Sequence, residues 1–200
     1  LRLEPGVSVR FLDSGQSIPG DTDLVIIPGS KSTMADLAAV RATGWDIDLQ
    51  AHVRRGGRVL GLCGGYQMLG QTVHDPEGLE GTAGSVSGLG LLNIETTLLP
   101  DKTLTRVTAT HVASDLKIEG YEIHLGSSHG PDCNRPFARI GSAGDGATSA
   151  DGLVSGTYIH GCFASDGFRS AYLKTLGAAA SDLAFESLIE KTLDELAAQI

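Results

Sequence analysis

The chain is short of cysteine, of clustered positive charge and of long apolar runs. Cys63, Cys133 and Cys162 are the three cysteines among 200 residues, and no two of them form a Cys-x-x-Cys pair. A scattered, odd-numbered set argues against a disulfide framework or a cysteine-rich zinc site and fits a reducing, cytoplasmic setting. No metal site is expected. No apolar run approaches the roughly 20 residues that cross a bilayer, so no membrane partner is expected. The opening LRLEPGVSVR lacks the apolar core of a secretion signal. With 15 Lys and Arg against 24 Asp and Glu, the formal net charge is −9. The densest basic group is Arg54-Arg55 with Arg58, too little for a nucleic-acid surface. The acidic balance reads as solubility.

What is present reads as one α/β domain spanning residues 1–200. The hydrophobic fraction of 41% is ordinary for a globular chain, and this length buries a substantial core. VSVRFL (7–12) and DLVIIPG (23–29) read as strands, the second apolar enough to be buried on both faces. STMADLAAVRA (32–42) reads as a helix capped by Ser32 or Thr33, with Met34, Leu37 and Ala38 on one face. DIDLQAHVRRGG (46–57) reads as a second helix, stopped by Gly56-Gly57. RVLGLC (58–63) is a third strand, and GYQMLGQT (65–72) a helix. This alternation implies a parallel sheet with helices on both faces.

Residues 75–90 read as a loop. The stretches 90–99, 104–112 and 117–126 alternate like antiparallel strands. Residues 132–152 read as loop with one short strand, and LVSGTYIHGCF (153–163) as strand. Helices over 166–177 and 181–199 close the chain, the last capped by Ser181 with Leu183, Leu188, Leu193 and Leu196 among its apolar positions.

The stretch VLGLCGGYQMLG (59–70) carries the chemistry. A strand ending in Cys63, followed by Gly64, Gly65 and a helix, has the form of a nucleophile elbow, in which a strained turn exposes the nucleophile and its neighbours must be small. The helix start favours the thiolate, and the Gly64 N–H can stabilise an oxyanion. A buried structural cysteine is the plainer alternative. The nucleophile needs a base. His52 and His74 read as surface residues, and His111 ends an exposed-looking strand. His160, at the end of the apolar GTYIHG, falls where parallel strands end and sites assemble. His124, in GYEIHLG, is its rival. IIPGSKS (26–32) brings Gly29 and Ser30 to the same edge as a second source of oxyanion N–H. It lacks the spacing of a nucleotide P-loop.

In chain order, DLVIIPGSKSTMADL, GLCGGYQMLG, GLGLL, GYEIHLG and GTYIHGCF resemble the class I (triad-type) glutamine amidotransferase domain of the cobyric acid synthase family. The resemblance covers roughly residues 7–177. It implies a flavodoxin-like α/β fold: a mostly parallel central sheet flanked by helices, with an antiparallel strand insertion. It implies Cys63 as nucleophile and His160 as catalytic histidine. Gly29, Ser30 and Gly64 would be oxyanion-binding and Gln67 glutamine-binding. Cobyrinic acid a,c-diamide synthase shares the elbow but usually carries a different loop at Pro28-Gly29-Ser30-Lys31. A cysteine hydrolase of similar fold and a non-catalytic scaffold are the other readings.

The resemblance further implies glutamine as substrate and an N-terminal synthetase domain as partner. That domain would bind ATP and magnesium and amidate carboxylates of a corrinoid in cobalamin biosynthesis. Nothing of it is present in the chain, which is expected to be a fragment needing no cofactor of its own. Where many relatives carry a glutamate two residues after the histidine, this chain has Cys162. A neutral thiol is a poor third member, so Cys63 and His160 are expected to act as a dyad. The second nitrogen of His160 would then meet a backbone carbonyl, a water or a carboxylate, with Glu122 the first carboxylate to consider.

Overall fold

The computed structural model describes residues 1–179 and 181–198. In chain order the elements are β1 (Leu24–Ile27), α1 (Thr33–Ala42), α2 (Trp45–Arg54), β2 (Arg58–Leu62), α3 (Gly64–Met68), β3 (Thr72–Asp75), β4 (Gly84–Ser87), β5 (Glu95–His111), β6 (Lys117–His129), β7 (Ala138–Ile140), β8 (Ala143–Asp145), β9 (Ala147–Thr148), β10 (Val154–Thr157), β11 (Ile159–His160), α4 (Asp166–Lys174) and α5 (Phe185–Ala197).

Two sheets share the work. The first runs β1-β2-β10-β9. Its β1, β2 and β10 are parallel, and β9 pairs antiparallel at the edge. The second runs β11-β6-β5-β3-β4, with β7 and β8 branching from β5. It is antiparallel apart from the β3–β5 pair. This is the expected mostly parallel sheet with an antiparallel insertion, and the insertion has more strands than the sheet it extends.

Alternation along β1 and β2 explains how one short sheet feeds two cores. Side chains on a strand alternate between faces. Val25, Ile27 and Val59 pack with Leu37, Leu49, Tyr66 and Leu69 beneath the first three helices. Leu24, Ile26 and Leu60 pack with Val107, Ile118, Phe168 and Tyr172 on the other side. A buried ion pair secures the second face: Arg169 of α4 meets Glu4, each side chain 2% exposed, and also donates to the Phe163 and Leu183 carbonyls.

Several elements differ from the sequence reading. Residues 7–12 form no strand. Alternation alone does not make a strand: the segment has no ladder partner, and Phe11 is left 75% exposed. The helix after the elbow is only five residues long, and the chain then leaves it for β3, with the Gln71 N–H bonded to the Ile94 carbonyl at 2.8 Å. Within the stretch read as helix tail and loop, β3 and β4 form a hairpin. The two strands expected over 90–112 are one, β5, with a register shift between Thr97 and Lys102. The stretch 132–152 holds three short strands rather than one. The expected strand 153–163 breaks at Tyr158, where the chain leaves the first sheet and joins the second. The last helix starts at Phe185, not after Ser181, and buries none of its residues. Leu193 and Leu196 are each 54% exposed. Gln199 of that expected helix lies outside the described residues.

Candidate active site

Cys63 sits where β2 ends and α3 begins, with φ 53° and ψ −112°. Cys63 and Asp115 are the non-glycine residues with positive φ among the described residues, so the strained turn expected of an elbow is present. Its backbone N–H donates to the Thr157 carbonyl at 2.9 Å, which ties the elbow to β10. Room for the turn comes from glycine: a Cβ at Gly65 would lie 2.1 Å from the Ile27 carbonyl oxygen.

Three chain segments converge here. A Cβ built on Gly29 would lie 3.2 Å from His160 Cε1 and 3.7 Å from Cys63 Cβ. One built on Gly64 would lie 2.8 Å from the Ser30 nitrogen. The loop after β1, the elbow and β11 therefore meet within contact distance, as the sequence placed them. The Gly29 and Ser30 N–H groups have no hydrogen-bond acceptor among the described residues. Ser30 is held by its hydroxyl, which donates to Asp36 and accepts the Ser32 N–H.

His160 is placed by the pairing of β11 with β6, which sets it opposite Tyr121. The two rings stack with centroids 5.1 Å apart and planes 7° apart. His160 Nε2 is buried and has no hydrogen-bond partner among the described residues. Burial lowers the pKa of the ring, and the nearby Ile123 carbonyl partly offsets this. The same carbonyl accepts the Cys63 thiol at 3.3 Å. Burial raises the Cys63 pKa, the Gly64 N–H works against that, and the Glu80 charge adds to the rise. The thiolate expected from a helix start is thus not the resting form. A five-residue helix contributes little, and desolvation wins. Burial thus works against the charged form of both the thiol and the imidazole.

The other expected residues have definite places. Gln67 is buried, and its amide is occupied inside the protein: Nε2 donates to the Leu125 carbonyl at 2.9 Å, and Oε1 accepts from the Thr33 hydroxyl at 3.1 Å. Glu122 does not reach His160 but faces His124, with Oε1 3.9 Å from Nε2. His124 stacks on Tyr158 at 3.8 Å, close enough to His160 to disfavour a second positive charge. Cys162 is 1% exposed in the second core, its pKa raised by burial to about 12. Two histidines whose sequence context suggests exposure are buried: His52 is 1% exposed and bonds to the Arg58 carbonyl, while His111 is buried against Phe137 and Phe168.

Residues that the sequence reading passed over also serve the site. Asp145, 5% exposed, accepts the Thr157 hydroxyl and the Tyr158 N–H beneath the break that turns the chain toward His160. Burial raises its pKa to about 6, against those two hydrogen bonds. A carboxyl that stays protonated longer in the folded state stabilises the fold at low pH. That contribution is lost as pH rises from about 4 to about 6. Relative to Asp145→Asn, the wild-type chain should therefore lose roughly 2–3 kcal/mol of unfolding free energy over that interval. Urea unfolding of both proteins at several pH values checks this, and parallel profiles would mean that Asp145 titrates normally. Glu80 is the other such residue. A tight DPEG turn was its only local mark, and its neighbours at the site are distant in sequence.

Among the described residues no helix is long and apolar enough to cross a membrane, and no group of three or more His, Cys, Asp or Glu could hold a metal ion. Comparison with known proteins places this geometry. A cobyric acid synthase of Cereibacter sphaeroides is 61% identical over 98% of the chain, and one of Bradyrhizobium diazoefficiens is 56% identical over all of it. The chain spans 41% and 42% of the length of those two relatives. A crystal structure of a glutamine amidotransferase aligns with a TM-score of 0.55 at 16% identity, over 78% of this chain and 80% of that one. The PurLQS structure from Thermotoga maritima aligns at 0.53 and 17%, over 88% and 82%. At such identities these two speak for the fold. The family described as CobB/CobQ-like glutamine amidotransferase domain matches residues 1–168, and the chain belongs to it.

Proposed function

We propose that this chain is the glutaminase domain of a cobyric acid synthase, releasing ammonia from glutamine for amidation of corrinoid carboxylates elsewhere in the same enzyme. The observation that carries the reading is the meeting of Cys63, on its strained elbow, with His160 across Gly29.

In this reading the buried, unpartnered Nε2 of His160 takes the thiol proton as Cys63 Sγ bonds to the amide carbon of glutamine. The carbonyl electrons move onto oxygen, where N–H groups of Gly29, Ser30 and Gly64 receive the charge. Collapse breaks the carbon–nitrogen bond, and His160 returns its proton to the leaving ammonia. His160 then takes a proton from water, hydroxide adds to the thioester carbon, and the carbon–sulfur bond breaks. Glutamate leaves, and Cys63 regains its proton. Ammonia passes to a carboxylate activated by ATP and magnesium in a synthetase domain. Gln67 ties α3 to Thr33 and to the Leu125 carbonyl.

A neutral resting thiol supports dependence on that partner. The chain alone should hydrolyse glutamine slowly, releasing glutamate and ammonia in equal amounts, and the rate should rise when the synthetase part is supplied. Both products are measured enzymatically. Full activity without the partner removes the dependence, and no hydrolysis with or without it removes the reading.

A further inference from the structure

We infer that Glu80 is the recognition group for the α-ammonium of the amino-acid substrate. This rests on the glutamine reading of the site and adds to it the means by which the substrate's amino-acid end is recognised.

The 75–80 turn is built to place this side chain. The buried carboxylate of Asp75 accepts the N–H groups of Leu79 and Glu80, each at 2.8 Å. Burial works to raise the pKa of Asp75, but the N–H groups of Glu80, Leu79 and Gly78 outweigh it and hold the group charged. The turn presents Glu80 to the start of α1. There Oε2 accepts the Met34 N–H at 3.1 Å, and Oε1 lies 3.1 Å from the Thr33 hydroxyl, whose one proton it shares with Gln67 Oε1. Thr33 is the residue that also bonds to Gln67, so Glu80 is linked through one hydroxyl to the helix that starts at the nucleophile.

These two bonds leave capacity unused. A carboxylate offers about four acceptor positions, and Glu80 forms no ion pair among the described residues. Glu80 is half-buried and lies within electrostatic reach of Cys63. An ammonium, with three donors and a full charge, fits the acceptor positions that Glu80 leaves open.

The test is covalent capture of Cys63 by 6-diazo-5-oxo-L-norleucine, which carries the α-ammonium, and by 6-diazo-5-oxohexanoate, which lacks it. In each case the thiol proton goes to the diazo carbon, sulfur bonds to that carbon, and dinitrogen leaves. Mass spectrometry follows the rate. The wild-type chain should favour the amino probe by at least about tenfold. Glu80→Gln should slow capture of that probe by roughly 10- to 100-fold, while changing capture of the other by less than about threefold. Glu80→Asp, which keeps the charge, should recover part of the loss and serves if the glutamine variant does not fold. Equal rates for the two probes in the wild-type chain overturn the inference, as does an equal change for both in the variants, since a merely structural role would act on both. Capture of neither probe by the wild-type chain overturns the glutamine reading and this inference with it.

Discussion

Cys63→Ser and His160→Ala should each reduce glutamine hydrolysis by roughly a thousandfold or more, while Cys162→Ser keeps most of it. The three residues lie close in the fold and differ in what they can do. Cys63 occupies the corner of a strained turn at the end of β2, followed by Gly64 and Gly65, where an added Cβ would meet the Ser30 and Ile27 backbones. His160 keeps one buried nitrogen without a partner, which is the vacancy that a base needs. Cys162 sits two residues after the histidine, where a carboxylate would complete a triad, but it points into the second core beside Phe137 and Phe168. A thiol 1% exposed, with a pKa of about 12, neither accepts a strong hydrogen bond nor changes charge near neutral pH. Replacing it by serine buries a hydroxyl and costs about 1–3 kcal/mol of stability, without touching the reacting atoms. Turnover measured well below the melting temperature separates the two effects. If Cys162→Ser, still folded, loses as much activity as His160→Ala, the pair is not acting as a dyad.

Gly65→Ala should leave the chain largely unfolded, whereas Gly29→Ala should keep the fold and lose activity. At Gly65 an added Cβ would lie 2.1 Å from the Ile27 carbonyl oxygen and 2.7 Å from the Pro28 carbonyl oxygen. Both are backbone atoms at the exit of β1, so relief requires moving that strand or the elbow itself. The expected cost exceeds about 3 kcal/mol, the upper end for overpacking in a close-packed interior. At Gly29 the nearest atom is His160 Cε1 at 3.2 Å, with Cys63 Cβ at 3.7 Å. An imidazole ring turns more cheaply than a strand shifts, so the methyl group displaces the base rather than breaking the fold. A melting curve and a glutamine hydrolysis assay on each variant read the two outcomes. A Gly65→Ala protein that melts like the wild type would show that the elbow is not held as tightly as this packing requires.

Local sequence determined the parts of this protein that depend on near neighbours. The elbow was legible because strand, cysteine, glycines and helix are contiguous, and the strained φ of Cys63 follows from that order. The parallel arrangement of β1 and β2 followed from apolar runs separated by helical patterns. The loop at Gly29 and the elbow at Cys63 were assignable to one sheet edge, because parallel strands put their carboxyl ends together, whereas His160 reaches that edge from β11 of the second sheet, after the break at Tyr158. Only the tertiary structure decided what depends on contacts far apart in the chain. Residues 7–12 have a strand's alternation but no partner to pair with. His52 lies within a helical pattern and His111 ends a strand that looks exposed, yet packing buries both. Glu80 meets Thr33 across 47 positions and Asp145 meets Thr157 across 12, separations at which periodicity carries no signal. The protonation of Cys63 belongs to the same class. Its glycines and helix start are written in order along the chain, but desolvation and a distant carboxylate set the sign of its pKa shift. Burial and charge are summed over everything that surrounds a group in space, and no local stretch of sequence contains that sum.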